Sequence, residues 1–316
     1  MRKPQLTVTV NEGLMALDAS LVITVAQNAI ISTRQSEIEK IMVKEFGAKG
    51  TVLTGASSRN TMIQPLEGSV IDLFVLLHPE LGQHNTPAGL MIKVVDVLRA
   101  HYPDAEISAK THSIVVAMPE FVFHVVPSFF RQDKGYIVAD ANNQLWKKTN
   151  PAIHYYALDE DNHKHKSLLL PVIRIIKYWN ECNGSLFNNY YLELLIRDIL
   201  SGQKFESLVE AIKYFFKEAV TLVVFTIDDP SDNGKQMDGL KDITKMMEAM
   251  QQFIDCYGHI VEAKLYESEG NLMQAYKEFG KIFGGYYPGY VDMMAKKLDA
   301  NGITGIEALQ ILRDAT

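Results

Sequence analysis

An α+β chain of two lobes is predicted by three features: helical and strand periods alternate in the first half, the second half is almost wholly helical in period, and 47% of the 316 residues are hydrophobic, enough to bury a full core. The boundary is placed at residue 165, giving residues 1–165 a small mixed sheet backed by helices and residues 166–316 a helical lobe. Residues 12–47 carry apolar groups at helical spacing and end at Gly47, a fitting C-cap, so one long opening helix is expected. "KGTVLTG" and "VIDLFVLL" follow as two short strands joined by a Ser-rich loop, the second stopped by Pro79. "PAGLMIKVVDVLRAHYP" returns to helical period. "AEISAKTHSIVVAMP" and "EFVFHVVPSFF" read as a strand pair turned at "MPE", followed by a loop rich in Asp, Asn and Lys.

In the second lobe "SLLLPVIRIIKYWNECNG", "NNYYLELLIRDILSG" and "ESLVEAIKYFFKEAVTLVV" are three amphipathic helices. "TIDDPSDNGKQ" is a polar turn, the stretch from Leu240 to Gly284 supplies one or two more helices, and a Gly/Tyr-rich "GGYYPGY" follows. The net charge of −7 argues against broad coating of nucleic acid while leaving a local basic groove open. Cys182 and Cys256 lack metal-type spacing and read as reduced thiols of a cytoplasmic protein. The N-terminus has no uninterrupted apolar h-region, and no segment is read as reaching the roughly eighteen apolar residues of a membrane span, so no membrane association is expected.

The stretch "TGASSRNTMIQPLEGSVIDLFVLLHPE", residues 54–80, carries the chemistry. A Gly-Ser turn before a buried strand offers backbone N–H groups and a hydroxyl to phosphates. Acids at i and i+2 on that strand share one face and can clamp two hard cations about 4 Å apart, the arrangement that nucleotidyl transfer needs. Here the strand offers only Asp72, and the position two residues earlier is Val70.

Seven stretches in order resemble the bacterial cGAS/DncV-like nucleotidyltransferases (CD-NTases) of antiphage signalling, within the polymerase-β-like superfamily. "GASSRNT" at 55–61 is similar to the family's G-S-x-x-R-x-T loop, and "VIDLFVLL" at 70–77 to its D-I-D strand. "FHVVPSF" at 123–129 resembles the strand of the third acid, and "WKKTNPAIH" at 146–154 the segment after it. "LPVIRIIKYWN" at 170–180 resembles the spine of the helical lobe, "NNYYLELL" at 188–195 its S-Y-x-L-E helix, and "IDDPSDN" at 227–233 its D-P turn. The resemblance implies a polymerase-β-like core with a long N-terminal helix and an all-helical C-terminal lobe.

It also implies site residues, and the departures fall on those that carry catalysis. Gly55, Ala56, Ser57 and Arg59 form the phosphate loop, with Ala56 in place of the family's Ser, and with Ser57 and Ser58 beside it. Val70 replaces the first metal Asp, Asp72 keeps the second, and His124 stands at the third. Lys177 corresponds to a lysine that reaches the triphosphate, Tyr190 to a tyrosine that stacks on the base, and Asn189 to a phosphate-contacting Ser, whose role an amide can share by donating. Residue by residue, a helix-face lysine, a half-buried core aromatic and a loop-positioning Arg59 are equally open readings. Glu67 lies on the loop before the strand and would need a bulge to reach an ion, and imidazole is a poor ligand for magnesium.

The leading expectation is therefore a nucleotide-binding or regulatory pseudoenzyme of a CBASS-like antiphage system, cytoplasmic, with an NTP ligand, a protein partner from the same defence operon and no metal requirement. The alternative is an active transferase using Mg²⁺ or Mn²⁺ to make cyclic or linear oligonucleotides. A nucleic-acid sensor, which would need a basic groove, is the third reading. "HKHK" at 163–166 is expected as solvated loop, and the tyrosines of "GGYYPGY" as core cover.

Overall fold

The computed structural model describes residues 6–132, 135–230, 236–237 and 239–314. In chain order the elements are α1 (Val10–Leu21), α2 (Val25–Phe46), β1 (Thr51–Thr54), α3 (Gly55–Ser58), β2 (Val70–Leu76), α4 (Pro79–His84), α5 (Pro87–His101), β3 (Ile107–Ala109), β4 (Ile114–Ala117), β5 (Val122–Phe130), β6 (Tyr136–Asp140), β7 (Leu145–Thr149), α6 (Pro151–Lys164), α7 (Leu169–Cys182), α8 (Asn189–Leu200), α9 (Leu208–Leu222), β8 (Ile227–Asp228), β9 (Gln236–Met237), α10 (Ile243–Ser268), α11 (Leu272–Phe283), α12 (Tyr290–Ala300) and α13 (Gly305–Asp314). The α+β class is as expected. Two compact units are present: a sheet unit, Ile23–Glu160, and a helical unit built from the residues before Ile23 together with Asp161–Asp229 and the residues after 235.

The opening segment differs from the single helix expected over residues 12–47. Val22 turns extended (φ −67°, ψ 135°), and Thr24 starts a second helix through a capping box with Gln27, as Thr9 starts the first with Glu12. Reciprocal side-chain caps of this kind satisfy the orphan N–H groups of a helix start, so a Thr-x-x-Gln inside a helical period can begin a new helix. The break also separates the two units, and α1 belongs with the helical unit rather than with residues 1–165. There it packs on α7, α9 and α11, and Arg174 on α7 grips Asp18 through two hydrogen bonds of 2.7 and 2.8 Å. Against the expectation that no segment reaches span length, Val10–Phe46 is long and apolar enough by composition to cross a membrane, an 18-residue window within it having a mean hydropathy of 1.7. It is folded as two capped helices that bury part of this apolar surface: Leu14, Leu17 and Leu21 are buried, Ile31, Ile38 and Met42 enter the core of the sheet unit, and Met15, Val25 and Val43 stay exposed.

The sheet is mixed and seven-stranded, ordered β1-β2-β5-β4-β3, with β6 and β7 continuing from β5. The central pair β2 and β5 is parallel and the other pairs are antiparallel. Both central strands are rich in buried Val, Ile, Leu and Phe, as strands covered on both faces must be. "AEISAKTHSIVVAMP" is not one strand but the hairpin β3–β4, closed by the Lys110 N–H donating to the Ser113 carbonyl at 2.7 Å. The Asp/Asn/Lys-rich segment after β5, expected as loop, holds the hairpin β6–β7 and then α6. Its polar residues are structural: Asp140 accepts from Lys147 at 2.6 Å and from the Asn143 backbone at 3.0 Å. These bonds, Lys147's first, hold the Asp140 carboxyl well below the usual range.

The helical unit is centred on aromatic packing. Trp179 packs edge-on against Phe216 and tilted against Phe253, and donates its indole N–H to the Cys256 sulfur at 3.2 Å. Burial pushes the Cys256 thiol up to about 12. Tyr287 of the Gly/Tyr-rich stretch does cover the core, donating to the Val10 carbonyl at 3.1 Å, and α12 and α13 follow as helices that hydropathy period had left unassigned. Of "HKHK", His163 and Lys164 close α6, His165 is stacked on Phe205 and Lys166 pairs with Glu206 at 2.9 Å. The D-P turn at 227–233 lies partly outside the described residues; Ile227–Asp228 and Gln236–Met237 pair as a two-stranded ribbon.

Candidate active site

β1 ends at Thr54 and the chain turns sharply into α3 at Gly55, whose φ of +67° suits a residue without a side chain. A Cβ there would lie 2.2 Å from Asp72 Oδ2, so the carboxylate rests directly against the loop backbone. The loop is closed by hydrogen bonds from the Arg59 N–H to the Gly55 carbonyl (3.3 Å) and from the Thr61 N–H to the Ala56 carbonyl (3.1 Å). Ala56 packs against the sheet unit's apolar core, which accounts for an apolar residue at this position. The Ser58 hydroxyl is spent on the Gly55 carbonyl at 3.0 Å, while the Ser57 hydroxyl makes no hydrogen bond among the described residues. Arg59 is 7% exposed and engaged within the protein.

Strand register then sets the acidic positions. Asp72 is the Cα partner of Thr54 on one side and of His124 on the other, and His124 is paired in turn with Val115. Partners on adjacent strands project to the same face, so Asp72 and His124 sit side by side, with Val70 two residues along. His124 Nδ1 lies 3.7 Å from Asp72 Oδ1. Its other nitrogen, Nε2, is 3.4 Å from the ammonium of Lys110, in the turn between β3 and β4. Val70, 45% exposed, offers no donor atom. Glu67 is exposed on the turn before β2, and among the described residues no third His, Cys, Asp or Glu brings a ligand atom together with those of Asp72 and His124.

This donor set does not fit a pair of magnesium ions. Mg²⁺ needs hard oxygen ligands in octahedral geometry, and a two-metal clamp needs carboxylates that bridge. One carboxylate, an imidazole and an ammonium supply a single negative charge and one fixed positive charge. The trio of the described residues that does cluster, His259, Glu262 and Glu278, belongs to the helical unit. Glu278 is already matched there by Lys281 at 2.7 Å and His259 at 2.8 Å. Burial raises its carboxyl, but those two partners outweigh burial and leave it lowered.

In the helical unit, Lys177 lies in the interior of its own unit. It is 2% exposed, and its ammonium is held in an ion pair with Glu193 of α8, itself 3% exposed. Asn189 and Tyr190 open α8 behind the N-cap Asn188, whose side chain accepts from the Tyr190 and Tyr191 N–H groups. Asn189 is exposed, its Oδ1 accepting weakly from Asn180 at 3.5 Å. Tyr190 is half-buried and donates its hydroxyl to Asp229 Oδ1 at 3.3 Å. Lys110 was missed in the sequence because "AEISAKTHSIVVAMP" reads as one continuous strand, which hides the turn that aims it at His124.

A Gly-initiated loop against the central acid of a mixed sheet, followed by a helical unit, defines a nucleotidyltransferase-type fold. Residues 9–162 match the family of the Second Messenger Oligonucleotide or Dinucleotide Synthetase domain. A "Probable cyclic nucleotide synthase" of Bacillus cereus (strain VD146) is 26% identical over 215 residues, and the match spans 64% of this chain and 64% of that relative's length. Among solved structures, CdnC of Escherichia coli MS115-1 in a HORMA-deltaN complex superposes with a TM-score of 0.69 at 16% identity, over 88% of this chain and 98% of that one. The Vibrio cholerae DncV cyclic AMP-GMP synthase, in complex with the linear intermediate 5′ pppA(3′,5′)pG, gives 0.68 at 15% identity, over 86% and 94%. Over just under half of its length the chain is thus similar to that synthetase domain family, and its fold is that of the cGAS/DncV-like nucleotidyltransferases, the CD-NTases.

The contact between Gly55 and Asp72 makes a direct prediction. Gly55→Ala is expected to destabilise the sheet unit by about 1–3 kcal/mol through the positive φ and the displaced carboxylate. In an Asp72→Ala background the clash is gone and the cost falls toward 1 kcal/mol, that of the backbone alone. Thermal melts of the four proteins in the cycle measure both.

Proposed function

We propose that this chain is a catalytically impaired CD-NTase that binds a nucleoside triphosphate or a related nucleotide and acts as a regulatory component of a cytoplasmic, CBASS-like antiphage signalling system. The observation that carries this reading is the donor set. Val70 and His124 leave Asp72 as the one carboxylate on the central strands, while Gly55 and the Ser57 hydroxyl of the same unit keep the means of contacting phosphate. Binding requires fewer groups than transfer does, and loss of a metal clamp removes several kcal/mol of transition-state stabilisation. A protein partner is favoured over a nucleic acid by the net charge of −7 and by the HORMA complex of a structural neighbour.

The second reading, an active transferase that makes cyclic or linear oligonucleotides with Mg²⁺ or Mn²⁺, is favoured by the description of the B. cereus relative. Incubation with all four labelled NTPs and either cation separates the two. The impaired reading expects no product above background, and substantial product that disappears in Asp72→Asn would overturn it.

A further inference from the structure

We propose that Lys110 is a built-in counter-cation, so that this site holds the polyphosphate tail of its ligand without a divalent metal; the inference deepens the nucleotide-binding reading and rests on it. Asp72, His124 and Lys110 form a row in which the imidazole lies between a carboxylate, 3.7 Å from Nδ1, and an ammonium, 3.4 Å from Nε2. In the tautomer with its hydrogen on Nδ1 the ring turns that N–H toward the Asp72 carboxylate, at 3.7 Å a charge–dipole contact, and Nε2 accepts from Lys110. One of the three ammonium donors is used in this way, and the others are left for an incoming anion. The side of the site that a metal-dependent relative would fill with exchangeable cations therefore carries a fixed positive charge.

The turn that carries Lys110 is held in place. Lys110 N–H donates to the Ser113 carbonyl at 2.7 Å, and the Ala141 N–H to the Thr111 carbonyl at 2.9 Å. The Asn142 amide donates to the Thr111 hydroxyl at 2.8 Å, and His112 Nδ1 bonds the Ala139 carbonyl at 2.8 Å. Four bonds over four residues, two of them between this turn and the β6–β7 hairpin's own turn, fix the backbone from which the ammonium projects. An exposed lysine on such a base loses less freedom on binding an anion than one on a mobile loop. The ligand class is a polyphosphate ester, because the adjoining loop supplies backbone N–H groups and the Ser57 hydroxyl for the same chemistry.

The test is calorimetry of the full chain with inorganic tripolyphosphate and with ATP, GTP, UTP and CTP, each in EDTA and in Mg²⁺. Binding is expected to persist in EDTA within about twofold and to weaken about tenfold or more in Lys110→Ala, a charge-assisted contact being worth roughly that factor. Lys110→Arg should retain it. The exposed position makes misfolding of these variants a small concern, and thermal melts check it. Binding abolished by EDTA, or EDTA-resistant binding that Lys110→Ala leaves unchanged, overturns the counter-cation while the nucleotide-binding reading stands. No binding of any probe in either buffer overturns both.

Discussion

Replacing Val70 and His124 together with aspartate is expected to give this protein divalent-cation binding and NTP turnover well above those of the native chain. Val70 and Asp72 are two residues apart on β2 and share a face, while position 124 is the direct partner of Asp72 on β5. Both sites tolerate a carboxylate: Val70 is 45% exposed, and the His124 side chain retains 21% exposure. Three carboxylates around one point recreate the ligand count of a two-metal clamp, and turnover should rise by about a thousandfold or more over the native background. Either single substitution should do little, because a bridging pair and a third ligand are needed together. Lys110, now 3.4 Å from the His124 ring, would neutralise part of the new carboxylate, so adding Lys110→Ser should raise activity further. Chromatography of labelled NTP reactions with Mg²⁺ and Mn²⁺ measures this. A double variant that binds two cations yet remains inert would show that the missing acids are not what limits the native chain.

Breaking the buried pair in the helical unit should cost more stability than any other single side-chain change proposed. Glu193→Ala leaves the Lys177 ammonium buried without its partner, at a cost of about 3–5 kcal/mol. Lys177→Met with Glu193→Leu removes both charges and should recover most of that loss, since well-packed apolar replacements of a buried pair are often neutral. Denaturant melts of the single and double variants give the cycle. The same variants decide the role of Lys177. If the lysine is structural, Lys177→Met lowers stability and leaves the tripolyphosphate affinity of the folded fraction unchanged. If it reaches the triphosphate, the affinity falls while the melt barely moves.

The elements most legible in the sequence were those in which local pattern and burial agree. α7, α8 and α9 have strong apolar faces, and β2 and β5 are near-continuous runs of Val, Ile, Leu and Phe. The misreadings occurred where short-range polar chemistry overrides hydropathy. Thr24 and Gln27 divide the opening helix in two, a break invisible to a period because Val22, Ile23 and Val25 keep the stretch apolar. β6 and β7 were hidden by the Asp, Asn and Lys residues that stabilise their hairpin, Asp140 and Lys147 above all. At the site, Gly55, Val70, Asp72 and His124 were legible by order along the chain, and the structure brings them together. Lys110 was not, because its importance comes from β4 lying beside β5, a pairing between distant segments that no local pattern encodes. Lys177 shows the opposite limit of a local motif. Its place in a motif suggested a ligand, but a partner one helix away, Glu193, has claimed its charge.

The central claim is that the native cleft of the sheet unit lacks the oxygen ligands to seat two divalent cations. Electron paramagnetic resonance of Mn²⁺ titrated into the native protein with a non-hydrolysable ATP analogue tests it most directly. The account predicts no bound Mn²⁺ beyond what the analogue carries alone, and no change in Asp72→Asn. Two Mn²⁺ ions per chain, both lost in Asp72→Asn, would contradict it.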